Sequence, residues 1–270
     1  MSPLRVYWWR WKHPVRTNFG DELSAPLIEE LTGRSVRWSP VPEADLVAAG
    51  SILTDVLREH VTYPPFWGTG FHWPYREEIP EQVRPHAVRG RLTAEHFPAD
   101  QRSVMALGDP GILANRLLDR PGRTRYSIGV VPHFRDTEHP AVLDLAGRSG
   151  VRIIDIGWTP TEVAREIAAC ETVLSSSLHG MIVADALDVP NVHLRMNESV
   201  GGPVQGPLHG LFKYRDYYSA FPGERLYEPW YAPDVVGLPT AEIVTRIHEH
   251  YPPPHGIQTL RDRLVAALPV

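Results

Sequence analysis

Residues 175–192 read SSSLHGMIVADALDVPNV and follow the short apolar run ETVL. This pattern predicts a strand, a polar turn and a helix, with Ser175, Ser176, Ser177 and His179 at the junction. Hydroxyls at such a junction cap the helix and can donate to phosphate oxygens, while the first-turn amides favour an anion. An imidazole in that first turn is disfavoured as a cation by the helix dipole unless an anion compensates. A bound phosphate ester would be that anion, keeping His179 protonated and able to act as a general acid. A histidine packed beneath a loop and bonded to backbone fits the same spacing, so position alone leaves both readings open.

Other residues of the right chemistry fall at predicted strand ends. NFGDE (18–22) sets Asn18, Gly20 and Asp21 at a helix start, where a glycine lets a ligand approach the backbone. Asp21 capping its own helix accounts for the same residues. His133 and Asp136 in VPHFRD, and His72 after WGTGF, are candidates for the lining of a cleft. Trp67 and Trp73, on a stretch read as a Gly/Pro-rich loop, are candidate stacking platforms for a sugar acceptor. Of Trp8, Trp9 and Trp11, strand alternation buries either Trp8 or Trp9. Arg89, Arg135, Arg195 and Lys213 are the cations placed to meet an anionic donor. The spacing of His72, His133 and His179 matches no local metal-ligand motif, and no metal is expected.

Short apolar runs alternating with helical stretches must position these groups, a pattern that favours α/β with mainly parallel strands. LRVYWW (4–9), DLVAAGS (45–51), FWGTGFH (66–72), HAVRG (86–90) and VMALGDPG (104–111) read as strands closed by turns. Leu23, Leu27, Ile28 and Leu31 have helical spacing and Gly33 stops the helix. RPGRTRYS (120–127) is the candidate linker, after which IGVVPHF, VRIIDI, TVLSS and NVHLR repeat the rhythm. Thr159, Pro160 and Glu162 announce a capped helix start. The expected division is 1–120, 121–238 and a helical tail 239–270 broken by PPP at 252–254.

Composition removes several classes of function. A net charge of −5 argues against nucleic acid or an anionic membrane as partner, since both need a basic face. Positive charge is almost all arginine, with lysine only at 12 and 213. A single cysteine, Cys170, allows no intrachain disulfide framework. MSPLRVYWWRWKHP lacks the long apolar run of a signal peptide, and no window approaches a membrane span, so a cytoplasmic location is expected.

In order along the chain, NFGDELSAPLI, AAGSIL, FWGTGFH, VRG-RLT, ALGDPGIL, IGVVPHF-D, SSSLHGMIVADALDVPNV and FKYRDYY resemble the polysaccharide pyruvyl transferase family, over residues of about 5 to 221. The resemblance implies two Rossmann-like domains facing a cleft, in a glycosyltransferase-B-like fold. It implies transfer of an enolpyruvyl-derived group from phosphoenolpyruvate to two sugar hydroxyls of a polysaccharide or its precursor, giving a pyruvate ketal. By resemblance His179 is the general acid, Ser175, Ser176 and Ser177 with the cations hold the donor, phosphoenolpyruvate is a co-substrate, and no cofactor is needed. Membrane contact would be at most peripheral, through a lipid-linked acceptor. The sequence departs at Ser177, where many relatives carry arginine. That departure keeps two alternatives open, a nucleotide-sugar-dependent glycosyltransferase of the same fold and a non-catalytic saccharide-binding member.

Overall fold

A computed structural model describes residues 2–10, 17–118, 123–196, 211–223 and 227–270. The first half supplies strands β1 (Leu4–Tyr7), β2 (Val36–Trp38), β3 (Leu46–Val47), β4 (Phe66–Thr69), β5 (Pro85–Val88) and β6 (Ala106–Leu107). Between them run helices α1 (Phe19–Glu22), α2 (Ser24–Thr32), α3 (Leu53–Glu59), α4 (Arg91–Ala94) and α5 (Ala99–Val104). A 3₁₀ segment, Pro110–Leu117, follows β6. The second half supplies β7 (Tyr126–Val131), β8 (Val151–Ile153), β9 (Cys170–Ser175), β10 (Asn191–Arg195) and β11 (Trp230–Tyr231). Its helices are α6 (Pro140–Ala146), α7 (Pro160–Ala168), α8 (Leu178–Ala186), α9 (Phe212–Ser219), α10 (Ala232–Val236), α11 (Thr240–His250) and α12 (Ile257–Ala266).

Every strand pair is parallel, in sheets ordered β2-β1-β3-β4-β5-β6 and β11-β10-β9-β7-β8. Each strand sequence runs outward in opposite directions from one point, between β1 and β3 in one sheet and between β7 and β9 in the other. Open parallel sheets bind ligands beyond the carboxyl ends of strands at such a point. The register Val131↔Ser175 brings β7 and β9 to an end side by side, so the loops holding His133 and Ser176 start together.

Local signals explain the elements. Leu23, Leu27 and Ile28 are fully buried, and Gly33 ends α2 in the left-handed region at φ 66, its N–H donating to the Glu29 carbonyl. Thr159 caps α7 through the predicted box: Glu162 N–H donates to its Oγ1 and its own N–H donates to Glu162 Oε2 at 3.0 Å. Trp8 is buried and Trp9 is exposed, as alternation requires. Trp11, the linker residues 120–122 and the Gly/Pro-rich segment 198–210 lie outside the described residues. The rest of the linker expectation runs into structure, because β7 begins at Tyr126.

Apolar clusters layer the molecule. One covers the outer face of the first sheet with Val56, Phe66 and Phe97, and another the outer face of the second with Ile128, Leu194 and Ile243. The third runs without interruption from Leu4, Val6 and Leu27 to Val173, Met181 and Ile182, so the two sheets share a core. The chain also crosses back: Phe212 of α9 packs into the first sheet's outer cluster, although it lies within 121–238. From α12, the Leu264 carbonyl accepts from Trp67 Nε1 at 2.8 Å, while Arg261 donates to the carbonyls of Ile112 and Ala186. The tail thus fastens both halves. Among the described residues no helix is long and apolar enough to cross a membrane.

Candidate functional site

His179 stands after β9, at the switch point of the second sheet, and packs against α1, the helix that follows β1 of the first. It occupies the first turn of α8 and is 8 % exposed. On one side Gly20 of α1 lies so near that a Cβ there would stand 2.1 Å from the imidazole Nδ1. Phe19 meets the ring edge-on at 6.4 Å. On the other side Asp109, fully buried after β6, brings Oδ2 to 3.6 Å from Nε2. That gap is too long for a hydrogen bond, and neither atom has another partner.

The serine run does different work at each position. Ser175 is fully buried, and its hydroxyl lies 3.0 Å and 2.7 Å from the carbonyls of Val131 and Ser177 while accepting the Ser177 N–H. It stitches the turn. Ser176 donates to Asp136 Oδ2 at 2.6 Å, accepts the His133 N–H, and its carbonyl accepts the Tyr214 hydroxyl. Ser177 stands at the N-cap with no capping bond from its side chain. The first-turn amides of α8 therefore keep the donor capacity that helix geometry leaves unused. Gly180 permits this packing, since a Cβ there would lie 2.3 Å from Ser175 Oγ.

Charges gather in front of these elements. Burial, aided by Arg89, pushes the Lys213 ammonium down to about 8, and Asp21 and Asp136 pull it the other way. Its Nζ lies 5.2 Å from the Tyr214 ring centre. Burial pushes the Asp21 carboxyl up to about 6 against the pull of His179 and Lys213. His133 is held down to about 3 by burial, with Lys213, Arg135 and His72 adding to the effect, so it is a neutral acceptor at physiological pH. Asp21 of α1, His72 after β4, His133, Arg135 and Asp136 after β7, and Lys213 of α9 thus lie within electrostatic reach of one another. Arg135 is exposed, with its guanidinium 5.4 Å from the Phe134 ring, and Arg195 stands 5.8 Å from the Tyr231 ring at the end of β10. Trp73 is half-buried and meets the exposed His72 ring at 4.8 Å. Among the described residues no group of three or more histidine, cysteine or acidic side chains is gathered as metal ligands.

Three expectations meet a different arrangement. Trp67 lies inside β4, fully buried and bonded to Leu264, so it presents no face to an acceptor. The Gly/Pro punctuation around it ends a strand rather than marking a loop. Arg89 is fully buried, its Nε on Asp216, its Nη1 on Ser51 and its Nη2 on the Phe71 carbonyl. Asn18, not Asp21, caps α1, accepting the Gly20 N–H at 3.1 Å. Asp21 is left with its carboxylate beside Gly50. Asp109, which no sequence motif singled out, also belongs here: it caps the 3₁₀ segment, its Oδ1 accepting the Gly111 N–H at 2.9 Å.

The family model for polysaccharide pyruvyl transferase matches residues 8–198, a span that begins just after β1 and runs past β10. The chain is 28 % identical over 222 residues to succinoglycan biosynthesis protein ExoV of Rhizobium meliloti (strain 1021), covering 79 % of this chain and 64 % of that protein. It is 32 % identical over 146 residues to uncharacterized protein L143 of Acanthamoeba polyphaga mimivirus, covering 52 % of this chain and 49 % of that one. The matched stretch thus spans from half to just under two thirds of these relatives. With the family model covering more than half of its length, the chain belongs to the polysaccharide pyruvyl transferase family.

Proposed function

We propose that this chain is a transferase that moves the enolpyruvyl-derived group of phosphoenolpyruvate onto two hydroxyls of a sugar, in an exopolysaccharide or its precursor. His179 protonates the methylene carbon, which becomes a methyl group and leaves an oxocarbenium-like centre at C2. One hydroxyl adds there, phosphate departs, a second hydroxyl closes the ketal, and the hydroxyl protons pass to solvent. The observation that carries the reading is the placing of a buried imidazole, with one nitrogen unbonded, in the first turn after the β7/β9 switch point, at the N-terminus of α8 that no side chain caps. Donor phosphate fits those amides, with Lys213 and Arg135 as nearby cations, and Trp73, His72 and Asp136 lie toward the acceptor. The two sheets act as Rossmann-like halves of a glycosyltransferase-B-like cleft, the location is cytoplasmic, and no cofactor takes part.

Incubation with phosphoenolpyruvate and a saccharide panel tests this, with phosphate release and ketal formation followed by NMR. His179→Ala is expected to slow turnover by roughly 10²–10⁴-fold, the usual contribution of a general acid. Phosphate release unchanged by that substitution would remove the acid role. Tight binding of a nucleoside diphosphate without turnover would favour a glycosyltransferase instead.

A further inference from the structure

Asp109 and His179 form a pair that the fold brings together from opposite sheets and then leaves incomplete. Asp109 is fully buried and His179 is 8 % exposed. Asp109 Oδ2 and His179 Nε2 are both without a hydrogen-bond partner, and they face each other at 3.6 Å. A buried carboxylate oxygen left unbonded is destabilising, so its retention needs a reason. The other oxygen already has one, holding the Gly111 N–H at the start of the 3₁₀ segment. Gly111 in turn lets that segment press onto α8, because a Cβ there would lie 2.8 Å from Ile182 Cγ2. The aspartate is therefore fixed in place, and its free oxygen is aimed at the imidazole.

We infer that Asp109 is the positioning residue of His179, orienting the imidazole through Nε2. This rests on the assignment of His179 as proton donor. Asp109 touches no substrate and acts only through the histidine. Catalytic hydrogen bonds are commonly long at rest and tighten in the reacting complex, and a closure of several tenths of an ångström makes this one. The charged groups facing His179 are Asp109 after β6 and Asp21 of α1, with Lys213 of α9 acting on Asp21. Asp185, the acid of its own helix, is spent on Asn191, Tyr217 and Tyr251.

The test uses the full chain with isotope-labelled histidine and two substitutions, Asp109→Asn and Asp109→Ser. Both residues still accept the Gly111 N–H as helix caps do, so the turn is kept while the charge is removed. The His179 imidazole signal, identified by its loss in His179→Gln, is titrated by NMR without any substrate. An opposite charge at this range moves a titration by about one to three units, so the midpoint should fall by about one unit or more in both variants. The alkaline limb of kcat/KM with phosphoenolpyruvate should move to lower pH by the same amount, which a merely structural loss would not produce. A midpoint that stays within about 0.2 units of the parent in both variants overturns the pairing. Absence of any turnover in the parent defeats the pyruvyl-transfer reading instead, and the substrate-free titration still decides the pair.

Discussion

Two buried pairs of ionisable side chains, Arg89 with Asp216 and Asp109 with His179, join distant parts of the chain and differ in how fully their bonding capacity is met. Around Arg89 each guanidinium nitrogen has an acceptor, and Asp216 takes Arg89 Nε at 2.8 Å, the Thr93 N–H at 2.8 Å and the Thr93 hydroxyl at 2.7 Å. Around His179 the facing atoms have nothing. Each pair has a glycine that makes room for it. A Cβ at Gly90 would lie 1.7 Å from the Asp216 carbonyl oxygen, and one at Gly20 would lie 2.1 Å from the imidazole. The saturated pair fastens α9, and with it Lys213, to the end of β5. The unsaturated pair keeps its capacity for something that comes and goes. Buried polar groups in folded proteins are nearly always bonded, so an exception at a sheet switch point points to chemistry and saturation points to structure.

The comparison is broken most directly at Arg89. Removing one partner of a buried, hydrogen-bonded charge pair strands the other, at a cost of about 3–5 kcal/mol. Arg89→Met is expected to lose that much stability in urea denaturation, with donor affinity changed only as far as α9 shifts. A variant that unfolds like the parent but no longer binds phosphoenolpyruvate would make Arg89 a ligand and erase the contrast between the pairs.

Sequence patterning located the strand ends but neither the switch points nor this contrast. Gly-rich turns after short apolar runs marked the strand ends, and the box Thr159–Glu162 marked α7, because both are decided within a few residues. Arg89 read as a cleft residue since its strand was correctly placed. Its acceptor Asp216 lies 127 positions away on a helix that crosses back between the halves, and no local pattern encodes that crossing. Trp67 failed for a related reason, its bonding partner being the carbonyl of Leu264 in the tail. Asp109 stayed hidden because one oxygen performs the capping that its neighbours advertise, while the other meets a histidine from the second sheet. The place of His179 in the first turn of a helix was legible. This histidine is the polar residue that an otherwise buried, apolar helix start did not need.

The second prediction acts on the unsaturated pair through its glycine. In Gly20→Ala the methyl group cannot coexist with the imidazole where it stands, so either α1 or His179 must shift. Displacing a catalytic group by an ångström costs about 10²-fold in rate, and overpacking costs about 1–3 kcal/mol. The expected outcome is roughly 100-fold lower kcat/KM in the phosphoenolpyruvate assay, with a thermal melt that falls by less than that of Arg89→Met. Equal loss of stability in the two variants, with activity preserved in Gly20→Ala, would mean that both pairs are structural.

The smallest effect sharpens the comparison through Asp21, the acid on the other side of His179. Burial raises its carboxyl from 3.8 to about 6, so the folded chain holds this proton more tightly than the unfolded one. Folding therefore takes up a proton between those values. The contribution of Asp21 to stability is most favourable below about pH 4 and declines as pH rises through about 6, the reverse of an acid stabilised by an ion pair. Asp21→Asn removes the titration. Its stability should match the parent at pH 4 and exceed it above pH 6 by about 1 kcal/mol, less than the full shift implies because Asp21 keeps an edge in solvent. Urea denaturation at the two pH values reads the difference directly. A parent that gains stability over Asp21→Asn as pH rises would show that Asp21 is held by a cation after all. Lys213 would then be the partner to test, and the site would hold a second saturated pair in place of a carboxylate kept under strain beside an unsatisfied histidine.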